Sequence, residues 1–407
     1  MNDSIIFTPC QIGPITLKNR TIRSAAFENM AHHNRPSEAL YNYHTAVAKG
    51  GIGMTTVAYA SINRSGISFE SQLWMREEVV PDLKKLTDAI HAEGAKASIQ
   101  LGHCGNMTHR ATCGQKPVGA SGGFNLYSPT FYQQLTEPEI DELVKDFGKA
   151  VTLARKAGFD CVEIHAGHGY LISQFLSPYT NRRKDKFGGS LENRMLFMKM
   201  VIQEVMKAAG DDLAVVVKTN MKDGFRGGLK TDECLTVAQE LEKLGAHALV
   251  LTAGFVSKAP MEVMRGAMPY KTLAYYMNMK NFWWLKIVIR LFGWFIIPSV
   301  PYKENYFLEE ALQFRKALKM PLIYVGGITS KENMETVLND GFIAVQMARV
   351  LIHETDFINK VYNGLEKSEC KHSNYCIGRM YTEDMQCHHC IKNLPKKIVK
   401  EIERAEK

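Results

Sequence analysis

Nowhere in these 407 residues does a run of Lys or Arg carry interleaved aromatics, so no nucleic-acid-binding face is expected. The net charge of +8 does not alter this, because much of it sits in the tail KNLPKKIVKEIERAEK. A weakly basic balance suits an anionic cofactor as well. The opening MNDSIIFTPCQIGPITL has no basic start and no continuous apolar stretch, so no export leader is expected and the setting reads as cytoplasmic. The nine cysteines then read as thiols rather than disulfides, and Cys10, Cys104, Cys113, Cys161 and Cys234 are scattered. Also missing is a G-x-G-x-x-G turn after the first strand, which counts against an open doubly wound sheet. What remains is ordinary globular composition, 45% hydrophobic and 23% charged, enough for one large domain or two medium ones.

The chain alternates short β-rich runs with helical patterns. The runs are TIRSA (21–25), GIGMTTVAYA (51–60), AKASIQL (95–101), CVEIHA (161–166), LAVVVKT (213–219), HALVLTA (247–253), PLIYVGG (321–327) and FIAVQMA (342–348). Segments such as EIDELVKDFGKAVTLARKAG lie between them, and several end on Gly, as a helix C-cap should. Eight strands alternating with helices predict an α/β fold, a (β/α)8 TIM barrel over 1–365. Two segments exceed that plan. One is a long aromatic-rich insertion after strand 6 (254–304), and the other is a Cys-containing C-terminal tail (366–407).

A barrel of this kind places its chemistry at the C-terminal ends of the strands. The fourth strand leads into HAGHGYLISQFLSP, which brings His165, His168 and Tyr170 to that rim. No acidic residue lies between the histidines. The third strand ends near Gln100 and His103, the fifth at Lys218. Alternation in CVEIHA sends Val162 and Ile164 toward the helices. Cys161, Glu163 and His165 point inward. Glu163 is then a buried carboxylate in need of a cation, and Lys218 can supply it. Gly326 and Gly327 precede a helix after the seventh strand and Arg349 follows the eighth, where barrels hold phosphate. A zinc site at His165 and His168 lacks a third ligand nearby in sequence.

The stretch DCVEIHAGHGYLISQFLSPYTNRRKDKFGGSLENR resembles a signature of the old yellow enzyme family of FMN-dependent ene-reductases. IGPITLKNRTIRSA, QLGHCG, VKTNMKDG and VGGIT add to the likeness, which covers roughly 5–253 and 305–365. The resemblance implies FMN, with NADH or NADPH as hydride donor, and an α,β-unsaturated carbonyl compound as substrate. It gives His165 and His168 the role of paired donors to the carbonyl oxygen, as in an oxyanion hole, and Tyr170 that of proton donor. It also puts Ser24, Ala25, Ala26, Ala58, Gln100, His165 and Lys218 beside the flavin, and Gly326, Gly327, Ala348 and Arg349 at its phosphate. Lys218 stands where many members have Arg, and Phe27 where some carry a hydroxyl or thiol.

The tail CKHSNYCIGRMYTEDMQCHHC departs from the iron–sulfur motif of longer relatives similar to 2,4-dienoyl-CoA reductase, since Ser373 replaces a cysteine. Free thiols are expected there, with an iron–sulfur cluster or zinc as alternatives. The run 281–298 is too short and too charged to span a bilayer comfortably. It reads as a lid over a bulky, steroid-like enone, as a peripheral membrane contact, or as a subunit interface of a homo-oligomer. Two other functions stay open: an amine dehydrogenase or demethylase, and a membrane-docked flavoprotein relaying electrons to another acceptor.

Overall fold

The computed structural model describes residues 3–277, 283–379 and 385–405. Eight parallel strands close into a barrel in sequence order: β1 Thr21–Arg23, β2 Met54–Ser61, β3 Lys96–Gly102, β4 Cys161–Ala166, β5 Ala214–Asn220, β6 Ala248–Thr252, β7 Leu322–Val325 and β8 Ala344–Met347. Each falls within or overlaps a run marked out by the sequence. The outer ring comprises α1 Glu38–Lys49, α2 Val80–Ala92, α3 Glu137–Lys156, α4 Leu191–Ala209, α5 Thr231–Lys243, α6 Leu308–Ala317, α7 Lys331–Asn339 and the short pair α8 Arg349–His353 and α9 Phe357–Tyr362.

Local chemistry sets these boundaries. Helix α3 starts on a capping box, in which the Thr136 amide and hydroxyl both donate to Glu139 Oε2, at 2.7 and 2.8 Å. Helix α4 starts where Ser190 accepts from the Asn193 amide and stops at Gly210, whose φ of 64° leaves the helical region.

The alternation read from CVEIHA holds. Val162 and Ile164 join the apolar layer between barrel and helices, with Val215, Val217, Leu249 and Val345. Cys161 belongs to a separate interior cluster with Ala214, Val216, Ala248, Ile323 and Ala344. A hairpin of Cys10–Ile12 and Ile15–Leu17 joins this cluster and plugs the N-terminal end of the barrel. The opposite end is left for polar groups. A small sheet of Val118–Gly119, Gly123–Asn125 and Thr130–Gln134 lies in the connection between β3 and α3.

The insertion after β6 contains helices Pro260–Met264, Tyr270–Tyr276 and Trp283–Ile296. Asn281 and Phe282, the first residues of the 281–298 run, lie outside the described residues. Trp283–Ile296 crosses Tyr270–Tyr276 closely at Gly293, where a Cβ would stand 2.7 Å from Tyr270. Most of its surface is uncovered: Trp283, Leu291, Phe292, Trp294 and Phe295 are each more than half exposed. No helix among the described residues is long and apolar enough to cross a membrane. On its other side Tyr270–Tyr276 meets the tail, through Tyr375–Gly378 and the terminal helix Lys396–Ala405.

Candidate active site

The register between strands assembles the site. Glu163 on β4 pairs with Gln100 on β3, and His165 pairs with Lys218 on β5. Above the apolar plug the inward side chains are polar. Glu163 is the hub. It accepts from Lys218 Nζ at 2.8 Å, Gln100 Nε2 at 2.7 Å and Gln346 Nε2 at 2.8 Å. Ser24 extends the network, donating to Gln346 Oε1 at 3.0 Å and accepting from Lys218 Nζ at 3.3 Å. All five are buried. The contacts with Glu163 and Ser24 account for two of the three donors of the Lys218 ammonium.

His165 stands one layer higher. The Gly167 amide donates to its Nδ1 at 3.5 Å, which places the ring proton on Nε2. The His168 ring is held by Thr252 at the end of β6, with Nε2 and Oγ1 2.8 Å apart, while its amide donates to Asn220 at the end of β5. His168 has φ 59°, a left-handed conformation uncommon outside glycine, and this turns its ring edge-on to His165 at 5.2 Å. Tyr170 precedes the short helix Leu171–Leu176 and lies 4.2 Å from the His165 ring, with Tyr59 edge-on at 5.1 Å. Two imidazoles and a phenol thus converge from one loop.

Electrostatics fixes their protonation. Burial lowers the pKa of His165 well below its ordinary value, and the nearby His168 and Lys218 push the same way. His168 is lowered to about 3, again by burial first and Lys218 second. Both rings are neutral at physiological pH and act as N–H donors rather than cations. Burial pushes the Tyr170 phenol upward, so it keeps its proton.

Ala25 and Ala26 follow β1 on a loop anchored by a buried group that the sequence reading did not single out. Glu28 forms a 2.5 Å ion pair with Arg23, lies 3.1 Å from His44 Nε2, and accepts from the Ala58 amide. Ala58 is thereby fixed next to that loop. His103, at the end of β3, contacts Ser65 at 2.9 Å and packs on Gly66, so it supports a loop. Phe27 stacks on Phe69 at 4.7 Å.

At the other end of the mouth, Gly326 and Gly327 have φ of 136° and 76°, and a Cβ on Gly327 would stand 2.8 Å from the Asn305 amide nitrogen. Arg349 lies over the Tyr302 ring and donates to Asn374 Oδ1 at 2.6 Å. Arg265, from the insertion, lies over Tyr306 and Phe307, the residues packed on the two glycines. Its buried Nε has no hydrogen-bond partner among the described residues. A phosphate beside Gly327 would offer an acceptor to this cationic, glycine-walled corner, so the donor set fits FMN.

The profile of the NADH:flavin oxidoreductase / NADH oxidase family matches residues 5–287. The chain belongs to this family. Family membership implies FMN and a nicotinamide nucleotide. Among relatives, the 4,4'-dithiodibutanoate disulfide reductase of Rhodococcus erythropolis is 38% identical, over 93% of each chain. The metal reductase of Desulforamulus reducens is 32% identical over 89% of this chain, which spans only 49% of that protein's length. The old yellow enzyme homologue from Zymomonas mobilis superposes with a TM-score of 0.71 at 21% identity, covering 96% of this chain and 99% of that one. That likeness is one of fold. This flavin oxidoreductase thus shares its barrel with the old yellow enzymes, as the sequence motifs imply.

Proposed function

We propose that this chain is an ene-reductase. It takes hydride from NADH or NADPH and adds hydrogen across the C=C bond of an α,β-unsaturated carbonyl compound. The convergence of neutral His165, neutral His168 and protonated Tyr170 at the end of β4 carries this reading.

When bound, FMN supplies the hydride. The protein does the rest. The N–H groups of His165 and His168 hold the carbonyl oxygen and stabilise the negative charge that grows on it, from fixed positions in a site of low dielectric. Tyr170 gives its hydroxyl proton to the α-carbon. Lys218 and Ser24 would line the flavin ring, and Glu163, itself held by Gln100 and Gln346, keeps Lys218 in place. Gly326, Gly327, Ala348 and Arg349 would hold the phosphate, with Arg265 beside them.

An anaerobic titration tests the proposal. The flavin spectrum should bleach with the nicotinamide and recover on adding a cyclic enone. Tyr170→Phe should slow the recovery by about 10²–10⁴-fold and leave the bleaching intact. A flavin that bleaches but recovers with no enone, bulky or small, rejects the substrate class.

A second reading is reduction of an organic disulfide to two thiols, and the 38% identical disulfide reductase supports it. Recovery with 4,4'-dithiodibutanoate but not with enones would favour it.

A further inference from the structure

Behind the phosphate corner, the tail folds back on α8. His353 closes that helix, four residues after Arg349. Its Nδ1 lies 3.3 Å from Cys387 Sγ and 3.5 Å from Cys390 Sγ, and the three atoms all lie within 4.8 Å of one another. We propose that His353, Cys387 and Cys390, completed by Cys370, form a mononuclear zinc site that fastens the tail to the barrel.

Four observations support this assignment. The first is spacing. Two tetrahedral ligands on one zinc, with bonds of about 2.3 Å to sulfur and about 2.0 Å to nitrogen, stand about 3.5 Å apart, matching the separations seen here. The second is the turn. Cys387 and Cys390 flank a single turn closed by a Cys390 amide to Cys387 carbonyl bond of 3.0 Å, which presents both thiols on one side. The third is the imidazole's far edge. His353 Nε2 has Glu354 Oε1 3.7 Å away, a carboxylate on the side of the ring turned from the two thiols. The fourth is the remaining thiol. Cys370 lines the same small cavity as Cys387.

The geometry favours one ion over a cluster. An iron–sulfur cluster takes four thiolates spread around a polynuclear core. Here an imidazole and two thiols close on a single point. Zinc takes cysteine as thiolate, so its binding releases thiol protons to solvent and its affinity falls as the pH falls. The site has a second effect. Asn374, four residues beyond Cys370, holds Arg349 through Oδ1, and its Nδ2 donates to Arg265 O at 2.7 Å and Ala267 O at 3.1 Å. The ion thus fixes the segment that aims Arg349.

The experiment is elemental analysis of the purified, FMN-loaded full chain for zinc, iron and acid-labile sulfide. The expected result is about one zinc per chain without sulfide, reduced more than about tenfold in Cys387→Ser/Cys390→Ser. Cobalt(II) added to chelator-treated wild-type protein should give intense tetrahedral d–d bands beyond the flavin absorption, so the test stands even if the variant fails to fold. Iron with matching sulfide overturns the proposal in favour of a cluster. No retained zinc, together with no cobalt bands, overturns the site itself.

Discussion

Glu163→Gln is the sharpest test of the interior network. The carboxylate is buried, and Lys218, Gln100 and Gln346 all donate to it within 2.8 Å. An amide of the same shape removes the charge and turns one acceptor into a donor. Lys218 is left as a buried ammonium without its counter-charge, and one glutamine Nε2 meets another N–H. Breaking a buried ion pair from one side costs about 3–5 kcal/mol. For a chain of this size the urea slope exceeds roughly 3 kcal/mol/M, so the midpoint should fall by about 1 M. Adding Lys218→Met to Glu163→Gln removes the stranded charge. The double variant should therefore be more stable than Glu163→Gln alone, with a coupling of about 1–3 kcal/mol. Urea unfolding of the four proteins of this cycle, followed by far-ultraviolet circular dichroism, measures it. A Glu163→Gln midpoint equal to wild type, or strictly additive losses, would refute the claim that Glu163 and Lys218 depend on one another.

Three further outcomes are expected. His168 titrates at about 3 when folded and near ~6.5 when unfolded, so below ~6.5 the unfolded chain binds more protons. Stability should thus fall as the pH drops from about 6.5 toward 3, by as much as about 2 kcal/mol at pH 5 for this group, and His168→Asn should shrink that drop in urea midpoints. Asn374→Ala removes the hydrogen bond that aims Arg349, and FMN should dissociate about tenfold more readily, read by fluorescence of the released flavin. Gly293→Val forces a side chain against Tyr270 and should cost about 1–3 kcal/mol locally, seen as faster amide exchange across Trp283–Ile296 with the barrel unchanged.

The barrel was legible because its strands are buried on both faces and so read as β-branched runs between capped helices. The inward row on β4 followed from strict alternation, and it made Lys218 a candidate cation for the buried Glu163. The same rule, applied to Ala344 and Gln346 on β8, would have found Gln346, whose polarity stands out on an inward position. Arg265 carries no local pattern: it comes from the insertion and reaches the glycine corner only through tertiary packing. His353 escaped notice because its partners lie 34 and 37 residues on, with no spacing that marks a finger. The Arg23–Glu28–His44 group is hidden in the same way, joining β1, its loop and α1. The small sheet at 118–134 is too short and too rich in Gly, Ser and Asn to register as strands.

The tail after 365 also bears on how this enzyme can be shortened. By sequence it looks like an appendage, and a protein engineer seeking a minimal catalyst would cut there. Yet Asn374 is the shared fastener of Arg349 and of the insertion backbone at Arg265 and Ala267, and Ile398 and Ile402 on the terminal helix pack on Tyr375. A chain ending at 365 would keep all eight strands and both histidines. It would lose the clamp on its phosphate-side arginine and lay bare the side of Tyr270–Tyr276 that the tail now covers. Trimming would yield a barrel that folds but loses its flavin more readily.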